Sequence, residues 1–135
     1  DTGGPINHGS WNDSVLPVVE AGQSVIVEHD HALDDDMMLE AAPGHTPGNC
    51  VLNVGRGDAA ALMLGDVMHT PVQFARPSRS SRFCLDPDLS RETRTRIIER
   101  LADSPTLALT AHFPSPTAGR VVSHNGAYRF ENAQA

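Results

Sequence analysis

The string HDHALDDD, residues 29 to 36, sets two histidines one residue apart ahead of a run of aspartates. Imidazole and carboxylate ligands suit zinc, and also manganese, iron or cobalt. Three further residues have the right chemistry and a more constrained setting. His45 lies inside the Gly/Pro-rich loop PGHTPGN, Asp66 directly follows the apolar run ALMLG, and His112 follows TLALTA. A metal site needs ligands that are rigidly held and point together, which strand ends and stiff loops provide. Taken singly, each has an ordinary structural reading: a histidine beside a turn, an aspartate capping a turn, a half-buried histidine after a strand. Their order along one chain gives them weight.

The surrounding elements follow from local composition. Residues 1–10, DTGGPINHGS, read as a loop leading into the domain. Val25, Ile26 and Val27 are β-branched and predict the start of a strand, which Asp34–Asp36 break. MMLEAAP is a second extended run. PGHTPGN is then a tight loop, since glycine reaches unusual dihedrals and proline restricts its neighbours. CVLNV and AALMLGD, joined through GRGD, predict an antiparallel hairpin. Residues 71–88 contain Pro71, Pro77 and Pro87 and should be mostly irregular. A helix is expected from about Leu89 to Ala102, capped by Asp88, with Leu89, Ile97, Ile98 and Leu101 on one face and Thr93 filling the gap. TLALTAHF reads as a buried strand, and GRVVSHNGAYRF as a hairpin turned at Asn125–Gly126. The class is α/β (α+β), in one domain or part of one spanning residues 1–135.

Bulk properties narrow the partners. The net charge is −7, which argues against nucleic acid or an anionic membrane surface. Arg76, Arg79, Arg82, Arg91, Arg94, Arg96 and Arg100 form a local basic run, but Glu92 and Glu99 sit among them. The run therefore reads as a solvated helix face. Cys50 and Cys84 are the only cysteines and form no Cys-x-x-Cys, so zinc-ribbon and thioredoxin-like readings fail; their pairing stays open. No run approaches the ~18 apolar residues of a membrane span. With 39% hydrophobic residues but only six aromatics, the core must rest mainly on aliphatic side chains.

The combination PGHTPGN, LGDVMH and AHFPSP resembles the metallo-β-lactamase-fold hydrolases. DSVLPVVEAG, GDVMHTPVQFARP and SSRFCLD extend the likeness to the branch of quorum-quenching lactonases and organophosphate hydrolases, from about Trp11 to Phe130. The resemblance implies a four-layer αβ/βα sandwich with two metals, most simply zinc, at one edge of its sheets. It implies that His45 binds metal, that Asp66 bridges both ions and that His112 serves the second. Asp66 and His112 would then carry catalysis, in which a metal-activated water attacks a lactone, ester or phosphotriester. Thr46, Asn49 and His69 would stand just outside the ligands. Met68, Phe74 and Phe113 would line an apolar substrate wall or, alternatively, pack in the core.

The likeness is incomplete. The family's first metal uses His-x-His-x-Asp-His, placed well upstream of the Gly-His-Thr loop. In HDHALDDD, His29 and His31 fit, but Leu33 and Asp34 occupy the places where aspartate and histidine are needed. His29 also lies only 16 residues before His45. Asn49 stands where many relatives carry a further histidine. The chain is therefore expected to be the C-terminal half of such a sandwich. It would hold one ion or fewer by itself, be weakly active or inactive alone, and pair with a second copy or an N-terminal half. The alternative is a truncated, non-catalytic domain that binds metal weakly or not at all.

Overall fold

The computed structural model describes residues 9–28, 30–55 and 61–133. His29, the first eight residues and most of the GRGD turn lie outside them. Six strands form one sheet in sequence order: β1 (Met37–Ala41), β2 (Cys50–Val54), β3 (Ala61–Met63), β4 (Leu107–Leu109), β5 (Ala118–His124) and β6 (Ala127–Asn132). Neighbours are antiparallel except β3 and β4, which are parallel. A parallel pair needs a crossover. Here it contains a 3₁₀ turn at Gly65–Val67, the short α2 (Val72–Ala75) and the long α3 (Pro87–Leu101). The β5–β6 hairpin turns at Asn125 and Gly126, with φ of +50° and +76°, as a tight two-residue turn requires.

Because side chains alternate across a strand, the sheet has two different faces. Val51, Leu62, Ala108 and Val121 face α3 and pack with Ile97, Ile98 and Leu101, all of them fully buried. Phe74, Phe113 and Phe130 close one side of this core, with ring centroids 5.2 to 6.0 Å apart. On the other face, Leu39, Leu52, Met63, Leu109 and Ala118 stand opposite one another in register across five strands. Met63 is 45% exposed there. The sandwich thus has one covered face and one apolar row with no layer over it among the described residues.

Polar contacts fix α3 on the sheet. Asp86 caps the helix by accepting from the amides of Asp88 and Leu89. Thr93 donates to the Pro43 carbonyl at 2.7 Å. Glu40 of β1 receives Arg96 at 2.6 Å and Arg100 at 2.5 Å. Partial burial pushes the Glu40 pKa up, but the hydrogen bonds from Arg96, Asn53 and Arg100 outweigh it and hold the carboxyl below its ordinary value.

Several expectations are corrected. Val25–Val27 form no strand: Val25 and Ile26 are 83% and 98% exposed, since β-branched residues favour a strand only where a partner strand exists. They follow a π-helical turn (Trp11–Val15) and a one-turn helix, α1 (Leu16–Glu20), neither of which buries a residue. α3 begins at Pro87 and is capped by Asp86 rather than Asp88, because Pro87 can take the first helical position with no lost hydrogen bond. The expected irregular segment is interrupted by α2 and ends at Asp86, since Pro87 and Asp88 already belong to α3.

The basic run is not wholly a solvated face either. Arg94 is completely buried. Its guanidinium donates to the carbonyls of Val67 (3.0 Å), Pro77 (2.7 Å) and Arg79 (3.0 Å), and to the Ser90 hydroxyl at 2.8 Å. Burial, the largest influence, holds its pKa below the ordinary arginine value. No helix among the described residues is long and apolar enough to cross a membrane. Arg94→Met, which keeps bulk but leaves the buried Val67 carbonyl and the half-buried Pro77 carbonyl without their donor, should destabilise the chain by about 2–4 kcal/mol in urea unfolding. A loss below about 1 kcal/mol would show that the network is incidental.

Candidate metal centre

His45, Asp66 and His112 come from three separate connections that meet at one end of the sheet. His45 sits on the β1–β2 loop. That loop is closed at its base by Asn49, whose side chain donates to the Ala42 carbonyl at 2.7 Å while its own carbonyl accepts from the Ala42 amide. Thr46 is exposed, and its carbonyl accepts from the amides of Gly44 and Asn49. The loop lies against α3: Gly44 has φ of +127°, and a Cβ there would come within 2.3 Å of the Ser90 amide nitrogen. The chain before α3 grips it from outside, as the Leu85 and Asp86 amides donate to the carbonyls of His45 and Gly44 at 3.0 Å.

Asp66 and His69 share the turn that leaves β3. Buried Gln73 holds this turn by accepting from the amides of His69 (2.7 Å) and Thr70 (3.2 Å) and donating to the Arg79 carbonyl. His112 follows β4, where the parallel pairing with β3 brings it beside Asp66.

The side chains converge on the Asp66 carboxylate. His112 Nε2 is 2.5 Å from Oδ1, His69 Nε2 is 3.6 Å from Oδ1, and His45 Nε2 is 4.0 Å from Oδ2. The His69 ring stacks on that of His112 with centroids 4.9 Å apart, and lies 4.9 Å from the His45 ring. Partial burial raises the Asp66 pKa, but the His112 hydrogen bond and the three imidazoles prevail and hold it below the usual carboxylate range. His69 is pushed below its ordinary value by burial, then by His45 and His112, against the pull of Asp66. It therefore favours the neutral form that donates a lone pair. Its Nδ1 is buried without a hydrogen-bond partner.

His45, Asp66 and His69 each offer one ligand atom, all within 4.8 Å of one another. Imidazole nitrogens around a carboxylate are a donor set that fits a divalent ion such as zinc. The structure thus brings His45, Asp66 and His112 to one place, but the group whose ligand atoms lie close enough to share an ion contains His69, expected only beside the ligands, while His112 contacts Asp66 from outside it. The sequence signal for His69 was its spacing, three residues beyond Asp66 across a tight turn. Gln73, which braces that turn, carried no recognisable signal. Met68, Phe74 and Phe113 lie in the core, which is their packing role. Within HDHALDDD, His31 is exposed, and Asp34 accepts from the Asp36 and Met37 amides as a turn residue.

No family model matches the chain, and no curated protein matches it. Solved structures do. AidC, a dizinc quorum-quenching lactonase solved in complex with a product, is 21% identical with a TM-score of 0.76, covering 95% of this chain and 46% of its own. The hydrolase AbOPH of the beta-lactamase superfamily is 24% identical with a TM-score of 0.79, covering 90% of this chain and 42% of its own. A probable metal-dependent hydrolase from Staphylococcus aureus gives 16% identity and a TM-score of 0.64, over 85% of this chain and 42% of that one. The fold is therefore that of part of a metallo-β-lactamase-type domain, and the chain spans less than half the length of these neighbours.

The loop geometry yields a direct test. Gly44→Ala places a methyl group into the backbone of α3 at a φ that L-residues avoid, so it should cost more than about 2 kcal/mol in thermal or urea unfolding. Gly48→Ala, which meets nothing within 4 Å, should cost under about 1 kcal/mol.

Proposed function

We propose that this chain supplies one half of a dinuclear metal-dependent hydrolase site for lactones, carboxyl esters or phosphotriesters. The observation that carries the reading is the convergence of three imidazoles on the single carboxylate of Asp66. The fold shared with a dizinc lactonase and a beta-lactamase-superfamily hydrolase agrees with it. His45, Asp66 and His112 would hold the ions, with His69 completing the set. A bound divalent ion would supply Lewis acidity, polarising a carbonyl or phosphoryl oxygen and making water nucleophilic near neutral pH. Asp66, kept ionised by its imidazole neighbours, provides the negative charge that draws a cation into the cluster. The stacking of His69 on His112 limits how either ring can turn.

The apolar row on the open sheet face is the surface a second layer would cover. Its side chains Leu39, Cys50, Leu52, Met63 and Leu109 line a groove that reaches Gly65 and Ala111, the chain neighbours of Asp66 and His112. A second copy of the chain, or a separate N-terminal half bringing the missing ligands, would bury that row and complete the site together. The competing reading is a non-catalytic module, supported by the mismatch of HDHALDDD at Leu33 and Asp34.

Metal analysis after dialysis against zinc distinguishes these readings. One ion or fewer per chain, lost in His45→Ala and Asp66→Ala but kept in His29→Ala, fits the half-site, with lactone and phosphotriester hydrolysis very weak until a complementary half is added. Two ions per chain would mean that the absent ligands are supplied from within these residues. No ion at all would leave the non-catalytic module. In size-exclusion chromatography the chain should elute as a dimer or larger, and a stable monomer would count against coverage of the row by a second copy.

A further inference from the structure

We infer that Cys84 is a positioning residue that sets the tautomer and orientation of His45; this rests on the reading of His45 as a metal ligand. His45 presents Nε2 to Asp66 at 4.0 Å and Nδ1 to the Cys84 sulfur at 3.8 Å, on the opposite side of the ring. A neutral imidazole carries one N–H, and the nitrogen that gives its lone pair to an ion must be bare. The proton then belongs on Nδ1, which needs an acceptor. Cys84 Sγ is the acceptor in reach, and it is buried, so no bulk water competes for the bond.

The sulfur is itself held from behind. It lies 3.4 Å from Ser90 Oγ, and Ser90 Oγ lies 2.8 Å from Arg94 Nη2. Arginine can only donate. Ser90 Oγ therefore accepts from Arg94, which leaves its own hydrogen free to point to the sulfur. With the Ser90 hydrogen so placed, Sγ accepts from both Ser90 and His45, which is the arrangement the proposal requires. The backbone supports the same geometry: the Cys84 amide donates to the Ser81 carbonyl at 3.1 Å, and the next amide, Leu85, donates to His45 itself. Outer partners of metal-bound histidines fix the ring and raise its basicity in this way, usually through a carboxylate or a carbonyl. Here a thiol fills that place.

Zinc affinity, the thermal midpoint of the metal-free protein and ¹⁵N NMR of His45 in the metal-free protein should be compared in wild type, Cys84→Ala and Cys84→Asp. Cys84→Ala should weaken zinc binding about 10–100-fold. Its His45 should shift from the Nδ1–H form towards a mixture, while the thermal midpoint changes little. Cys84→Asp, whose carboxylate is also an acceptor, should recover most of the affinity and of the Nδ1–H form. Should alanine fail to fold, Cys84→Val keeps the volume without the acceptor and must reproduce the loss. Wild-type affinity and tautomer in the alanine or valine variant, or equal impairment in the aspartate variant, would overturn the role. If the wild type takes up no zinc, the proposed function fails, and the tautomer comparison alone decides whether Cys84 orients His45.

Discussion

The site depends on one buried cation. Arg94 occupies a position of α3 that faces the core, and its guanidinium serves mainly to hold irregular backbone together. It reaches Val67, one residue past Asp66, as well as Pro77, Arg79 and Ser90. The long connection between β3 and α3 has almost no regular structure of its own, so its carbonyls lack partners from a helix or sheet ladder. A buried carbonyl left unpaired costs about 1–3 kcal/mol. Five donors on one planar group satisfy several such carbonyls at once, which lysine or a neutral side chain would not do. The metal-site turn is thereby anchored to the best-packed helix of the molecule.

This explains how much could be read from the residues in advance. His45, inside a Gly/Pro loop, and Asp66 and His112, each at the end of an apolar run, could be singled out as candidates because those signals are local, and the structure brings the three close together. The β5–β6 hairpin was legible from Asn125–Gly126 for the same reason. Arg94 was not. Its charge alone matches that of Arg91 or Arg96; its spacing of three, four and seven residues before Ile97, Ile98 and Leu101 puts it on the apolar face, a signal that reading the run by charge passes over. Val25–Val27 failed in the opposite sense: three β-branched residues state a preference that a strand neighbour must satisfy, and none is present among the described residues. His69 was placed beside the site from its spacing alone, while the turn that brings it within 3.6 Å of Asp66 depends on Gln73, a side-chain contact with no periodic signature.

The two faces of the sheet belong to the same account. Toward α3 the rows are closed by aliphatic and aromatic packing. Away from it, a continuous apolar row runs beside the metal-site end of the strands. A surface of that kind on a sheet is ordinarily an interface. Its position next to Gly65 and Ala111 means that whatever covers the row also walls the site.

The parallel pairing of β3 with β4 has a consequence for the order of events in folding. Ala61–Met63 meet Leu107–Leu109 only after the whole crossover between them has been spanned, and Asp66 and His112 are adjacent only once that pairing exists. Hairpins such as β1–β2 and β5–β6 close over short loops, whereas this contact carries the entropy of a long one. The cluster of Asp66 and His112 therefore depends on that long-range pairing and is lost whenever the sheet opens at its centre. An ion bound there would act as a clasp on a long-range contact of the chain, coupling occupancy of the site to the stability of the folded state.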